Sequence, residues 1–139
     1  MNKYFTVIVA VVGAVFWFGL SHADISIVGK WSGIDSDGDS ATFVFSEDKS
    51  ADVKLEGIPL LSTKTMTNGS VEWSRNTGQD PMHLDIVILI GSIEKRRIPM
   101  IARFVGERTL KIQISRDMTT RPKGFSMTKD VFQILATKQ

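Results

Sequence analysis

Residues 84–115 read LDIVILI-GSIEKRR-IPMIARFV-GE-RTLKIQIS, in which three apolar runs are separated by two segments rich in turn-forming and charged residues. The runs have strand-like lengths and are short for helices. Leu84–Ile90 is apolar on both faces, which is typical of a central strand that is covered on both sides. The runs at 98–105 and 108–115 flank Gly106-Glu107 and therefore predict a hairpin.

The same pattern extends over the rest of the chain, and no window after residue 24 carries a helical stripe of apolar residues. Asn68-Gly69 predicts a two-residue hairpin turn. Eight or nine short strands in sequence predict an all-β, antiparallel up-and-down barrel of about eight strands, because closure removes exposed edges. A two-sheet β-sandwich is the alternative. The further strands are expected at 26–34, 41–45, 51–56, 61–67, 70–75 and 131–136.

The first segment has the pattern of an export signal. Lys3 precedes an apolar run at 5–20, and small residues, Ser21 and Ala23, stand at the positions before a cleavage site. The run is shorter than the roughly 20 residues of a spanning helix. We therefore expect a signal peptide at 1–23 and one domain at 24–139, and hence a periplasmic or extracellular protein. The alternative is an uncleaved anchor at residues 4–20, and membrane contact is expected only through this segment.

The amino-acid composition excludes several classes of function. The chain has 139 residues and no Cys, which excludes disulfides, thiolate metal sites and a Cys nucleophile. Its net charge is +2, which falls to +1 without Lys3. A nearly neutral domain lacks the basic stripe of nucleic-acid-binding proteins, so no nucleic-acid partner is expected.

Two constellations look like metal sites at first sight. Asp35–Asp39 resembles a calcium loop, but Gly38 and Ser46 stand at its fourth and twelfth positions, where an EF-hand has Gly at the sixth and Glu at the twelfth. A solvated turn explains it better. His83 and Asp85 would share one face of a strand, yet two ligands are too few for zinc. We predict no metal, no cofactor, no catalytic residue and no enzyme.

Glu94-Lys95-Arg96-Arg97 predicts a charged turn. Its basic residues would suit an anionic lipid or a phosphate. Charged residues also commonly protect the ends of strands from pairing, and this plainer interpretation is favoured.

Several motifs, taken together in their order along the chain, resemble those of a known protein family. They are Gly29-Lys30-Trp31, the segment Asp-Pro-Met-His-Leu-Asp at 80–85, Leu110-Lys111-Ile112, and Arg-Pro-Lys-Gly-Phe at 121–125. Over residues 28–138 the chain resembles a family of small secreted bacterial lipocalin-like domains of uncharacterised function. The resemblance implies a β-barrel and no established activity. The chain is shorter than typical lipocalins and has no long C-terminal helix, which argues against a large ligand cavity.

The resemblance also implies roles at one end of the barrel. Gly29 would let another strand approach closely, and Trp31 would close the end with its ring. Arg121 would lie over that ring, since guanidinium groups stack on indole faces. Pro122 would fix the turn, and Phe125 would plug the same end.

These observations predict a secreted, non-enzymatic lipocalin-like domain that binds a small apolar or amphipathic ligand in or near the barrel mouth. The alternative is an envelope protein–protein interaction module of the inhibitor or immunity type, using the loop at 77–82. The expected lining residues, which would equally serve as plain core, are Phe43, Phe45, Val53, Leu55, Trp73, Ile112 and Phe125.

Overall fold

The computed structural model describes residues 25–55, 58–62 and 67–139, the strand at 58–62 by its backbone alone. The predicted signal peptide lies outside the described residues. None of the described residues forms a helix that could cross a membrane. The strands are β1 (Gly29–Asp35), β2 (Ser40–Phe45), β3 (Ala51–Leu55), β4 (Ile58–Ser62), β5 (Gly69–Asn76), β6 (Met82–Ile90), β7 (Ile93–Gly106), β8 (Thr109–Ser115) and β9 (Val131–Lys138).

The strands form one antiparallel sheet in the order β4-β3-β2-β1-β9-β8-β7-β6-β5. The sheet curls until β5 meets the start of β3, where the Trp73 backbone N–H donates to the Lys49 carbonyl oxygen at 2.9 Å and Ser50 forms a bridge with Glu72. Eight strands thus make a nearly closed barrel, and β4 pairs with the edge of β3. The predicted all-β up-and-down barrel is confirmed.

The interior is packed with large apolar side chains, because alternate residues of each strand face inward. The rings of Trp31 and Phe104 lie 6.0 Å apart, and those of Phe45 and Trp73 meet edge to face at 5.8 Å. Burial of these apolar side chains is the main favourable contribution to the free energy of folding. The largest fully buried side chains include Trp31, Phe43, Phe45, Leu84, Ile86, Met100, Leu110, Ile112, Ile114 and Ile134.

The Asn68-Gly69 hairpin prediction is wrong for the described strands, and residues 63–66 of its predicted first strand lie outside the described residues. β4 pairs with β3, whereas β5 pairs with β6, so the strands on either side of this dipeptide are not hairpin partners. Asn68 does adopt the positive φ of a turn residue, at 56°. Its carbonyl oxygen accepts a hydrogen bond from the Gly91 N–H at 3.0 Å, and this bond joins it to the β6–β7 turn.

The predicted charged turn at 94–97 is also wrong, because these residues belong to β7. The turn is Gly91-Ser92, with φ of 56° and 69°. Two consecutive positive φ values are the signature of the tight hairpin turn that matches strand twist. β7 therefore starts five residues earlier than the apolar pattern predicts, and its first five residues are exposed.

Residues 116–130, which we call the outer strap, connect β8 to β9 and fold back over the outside of β6, β7 and β8. The buried amide of Gln113, on the outer face of β8, donates to the carbonyl oxygens of Gly124 and Ser126, both at 3.0 Å. The strap thereby covers outward-facing residues that a bare barrel would expose, namely Asp85, Ile101, Gln113 and Ser115.

The close approach predicted for Gly29 occurs at Gly33 instead. A Cβ on Gly33 would collide with the backbone carbonyl of Leu135 and lie 3.0 Å from Cα of Ala136, its partner in the β1–β9 pairing. Gly29 is required for another reason, since its φ is +139° and its nearest neighbour is the flexible end of Lys138.

Gly33→Ala should therefore destabilise the protein by about 2 kcal/mol, because overpacking against backbone cannot be relieved by a side-chain rotation. Urea unfolding of both proteins measures the difference. Gly124→Ala is the matched control, since its Cβ would meet no atom within 4 Å. Equal losses in the two variants would contradict the assignment of Gly33 as the point where the backbone of β9 comes closest to β1.

Candidate functional site

Arg121 does not lie over Trp31, so the contact that the resemblance implies is wrong. The cation over the Trp31 ring is Lys138, whose Nζ is 5.7 Å from the ring centroid. The C-terminal strand brings Lys138 there by pairing directly with Trp31. Arg121, carried by the outer strap, reaches a buried carboxylate on the outside of the barrel.

Asp85 is that carboxylate, and its side chain is only 7% exposed. Arg121 donates two hydrogen bonds to it, at 2.6 and 3.0 Å, and Arg97 donates a third at 2.8 Å. Arg121 also donates to the carbonyl oxygen of Met100 at 2.8 Å, and Arg97 pairs with Glu94 at 2.8 Å. Two guanidiniums thus balance two carboxylates.

The electrostatics of Asp85 follow from this arrangement. Burial alone raises the pKa of the carboxyl, but the hydrogen bonds from Arg121 and Arg97 outweigh it and leave the pKa below its ordinary value. Asp85 is therefore ionised at neutral pH. The ion pair ties the outer strap to β6.

Phe125 lies on the outside of the barrel, which corrects its prediction as an inner lining residue and end plug. Its ring packs beneath two cations of the outer face, Arg103 at 5.1 Å and Lys111 at 4.9 Å. Cation–π contacts of this kind hold the strap on the barrel. Pro122 is buried and follows directly on Arg121.

The other six predicted lining residues all face the packed interior. Phe43 and Phe45 stack with ring centroids 5.9 Å apart, and the indole N–H of Trp73 donates to the Ser46 carbonyl oxygen at 2.9 Å. These contacts are those of core residues. The remaining three, Val53, Leu55 and Ile112, are at most 6% exposed.

An open cleft of about 320 Å³ lies on the outer face, between β6 and the strap. We call it the outer cleft. Its apolar lining residues are Pro81, which is half-buried, and Ile101 and Pro122, which are buried. Its cationic lining residues are Lys123 and Arg121, and Arg121 is paired with Asp85. The remaining lining residues are Gln79, Asp80 and His83.

The outer cleft brings together two segments that the sequence singled out separately. Residues 79–81 belong to the loop expected in the alternative interaction module, and 121–123 belong to the late motif of the resemblance. Ile101 was missed, because an apolar residue in a central strand is expected to be core. Arg97 was missed as well, although a charged Asp85 within an apolar run signals a need for a cationic partner.

Among the described residues, no group of three or more His, Cys, Asp or Glu side chains lies close enough together to hold a metal ion. The Asp35–Asp39 segment is a turn whose polar groups form hydrogen bonds with one another. Asp35 Oδ1 accepts the N–H groups of Asp37 and Asp39 at 2.9 and 3.0 Å. Asp37 forms a two-bond ion pair with Arg116 of the strap, both bonds at 2.8 Å.

Comparison with family models, curated proteins and solved structures finds no match to this chain. The resemblance to small lipocalin-like domains therefore rests on the quoted motifs and on the barrel itself. Because fold alone does not give function, the functional argument starts from the outer cleft.

Proposed function

We propose that this chain is an exported, non-enzymatic binding domain whose outer cleft holds a small amphipathic molecule with an acidic group. The observation that carries the proposal is that one cleft combines apolar lining residues with Lys123, a cation that forms no ion pair among the described residues. Pockets of about 300 Å³ and above with apolar walls and a few polar groups are the usual form of a small-molecule site.

The charges in the outer cleft indicate which residue would meet the acidic group. The charge of Arg121 is already balanced by Asp85. Asp80 is paired with Arg103 at 3.1 Å. Lys123 is exposed and forms no ion pair with any residue of the described ranges. We therefore assign Lys123 to the acidic group, and the half-buried Pro81 to the apolar part.

Binding is favoured over acid–base catalysis by the state of Asp85. A general base works best when its pKa lies near the working pH. The pKa of Asp85 is lowered by its two arginine partners, so this carboxylate is a weak base that serves to hold the strap. The packed interior likewise argues for placing the ligand outside the barrel rather than within its mouth.

Lys123→Glu should weaken binding of the amphipathic anion 8-anilinonaphthalene-1-sulfonate about tenfold, which corresponds to about 1.4 kcal/mol. The reason is that the variant replaces attraction of the sulfonate by repulsion. Fluorescence titration measures the affinity. Lys129→Glu is the control, because Lys129 is exposed on the same strap but does not line the cleft. Equal affinities of the two variants for the fluorophore would show that the outer cleft is not its binding site.

A second candidate, an envelope interaction module, is favoured by a different surface. Ile34 and Leu135 pair directly across β1 and β9 and are 64% and 53% exposed. Exposed apolar pairs of this kind suit a protein partner. Native mass spectrometry of the protein isolated from its own cells distinguishes the candidates, since a retained small molecule supports the first and a retained protein supports the second.

A further inference from the structure

The β6–β7 hairpin extends past the end of β8, since the register between β7 and β8 begins only at Met100. On its other side, β5 pairs with β6 as far as Ile90. The last buried residues of the hairpin are Val87 and Ile98, and we call residues 88–97 between them the hairpin tip. At its end, Ile90 and Ile93 stand directly opposite each other on the two strands. They are 37% and 61% exposed, so the tip ends in an apolar pair that faces water.

The tip carries positive charge directly behind this pair. Arg97 is neutralised, because it belongs to the balanced cluster with Glu94, Asp85 and Arg121. Lys95 and Arg96 are exposed and form no ion pair with the rest of the described chain. Two uncompensated cations thus sit next to two exposed isoleucines.

We propose that the hairpin tip docks on the surface of an anionic lipid bilayer. Ile90 and Ile93 would enter the interface, and Lys95 and Arg96 would contact the headgroup phosphates. The order along the hairpin, apolar residues at its end and cations behind them, matches the order of a bilayer, in which hydrocarbon lies beneath charged headgroups. This site lies outside the outer cleft and extends membrane contact beyond the N-terminal segment.

Charged residues elsewhere at this end of the barrel would determine the orientation of the protein on the bilayer. The β1–β2 turn lies at the same end of the barrel. It carries Asp35 and Asp39, which form no ion pair among the described residues, and Asp37, which Arg116 neutralises. Three strands, β9, β8 and β7, separate β1 from β6. Repulsion of Asp35 and Asp39 by anionic headgroups would therefore tilt the barrel, so that the hairpin tip leads.

Single-site labelling tests the orientation directly. The chain has no cysteine, so Ile93→Cys gives one attachment point for an environment-sensitive NBD fluorophore. We expect the emission to shift to the blue with vesicles of phosphatidylglycerol and phosphatidylcholine, and not with phosphatidylcholine alone. Ile34→Cys is the matched control, since Ile34 is 64% exposed on β1 and the labelled chain carries the same N-terminal segment. Its emission should stay unchanged.

The charge requirement is tested in the same labelled background. Lys95→Ala with Arg96→Ala should raise the lipid concentration at half-maximal shift about thirtyfold, since each basic residue near an anionic surface contributes several-fold in affinity. Lys30→Ala with Lys54→Ala removes two exposed lysines elsewhere and should leave it unchanged. No shift at position 93, equal shifts at 93 and 34, or equal effects of the two double variants would each overturn the proposal.

Discussion

Trp31→Ala should lower the free energy of unfolding by about 3–5 kcal/mol, the range for removing a large aromatic side chain from a core. Trp31 is fully buried, and its ring packs on Phe104 with centroids 6.0 Å apart. Its indole N–H donates to the Ile27 carbonyl oxygen at 2.8 Å. The variant would leave a cavity and a buried carbonyl without its donor. Urea unfolding measures the loss, with the slope m checked for two-state behaviour.

Trp31→Phe separates the two contributions. It keeps most of the apolar ring and loses the indole hydrogen bond, so its cost should be about 1–3 kcal/mol. If the alanine variant lost less than the phenylalanine variant, or less than about 1 kcal/mol, Trp31 would not be closing the barrel core.

The elements of this fold that could be predicted are those that local pattern determines. Alternation in Ala41–Phe45 and Ala51–Leu55 gave the correct faces, because each strand buries alternate residues regardless of its partner. The early start of β7 was not predictable from apolar pattern, since residues 94–97 are charged and exposed. Their strand conformation is set by pairing with β6.

The candidate site was harder to predict because it depends on contacts between distant segments. Arg121 lies 36 residues from Asp85 in sequence, and only the path of the outer strap brings the two together. The resemblance singled out 121–125 as a unit, and this unit lies in the outer strap. It misplaced the unit, because motif order along the chain does not say whether a connecting segment crosses the inside or the outside of a barrel.

Asp85→Asn should lower the free energy of unfolding at pH 7 by about 3 kcal/mol. Removing one member of a buried ion pair leaves its partners' charge uncompensated, although Arg121, whose side chain is 27% exposed, can regain part of its hydration. Asp37→Asn is the matched control. It breaks an aspartate–arginine pair whose partners are 42% and 45% exposed, so its loss should be clearly smaller.

The pH dependence has a definite sign. The pKa of Asp85 is lower in the folded chain than its ordinary value, so the unfolded state binds more protons as pH falls. The stabilisation by Asp85 is therefore complete above about pH 5 and is lost as the pH falls through the folded pKa. The gap between wild type and Asp85→Asn should narrow as the pH falls below about 5 and through the folded pKa. A gap that widens on acidification would contradict the ion pair.

A double-mutant cycle decides which residue Arg121 contacts. Asp85→Asn and Arg121→Ala should be non-additive, with a coupling energy of about 1–2 kcal/mol, because each removes the other's partner. Trp31→Ala and Arg121→Ala should add to within about 0.5 kcal/mol, since these residues share no contact. Trypsin cleavage after Lys123 gives a local readout, because release of the outer strap should accelerate it in Asp85→Asn and Arg121→Ala, and less in Asp37→Asn, which frees only Arg116 at the first residue of the strap. Strong coupling of Trp31 with Arg121, together with additivity of Asp85 and Arg121, would place the guanidinium over the indole and the strap on the other side of the barrel wall.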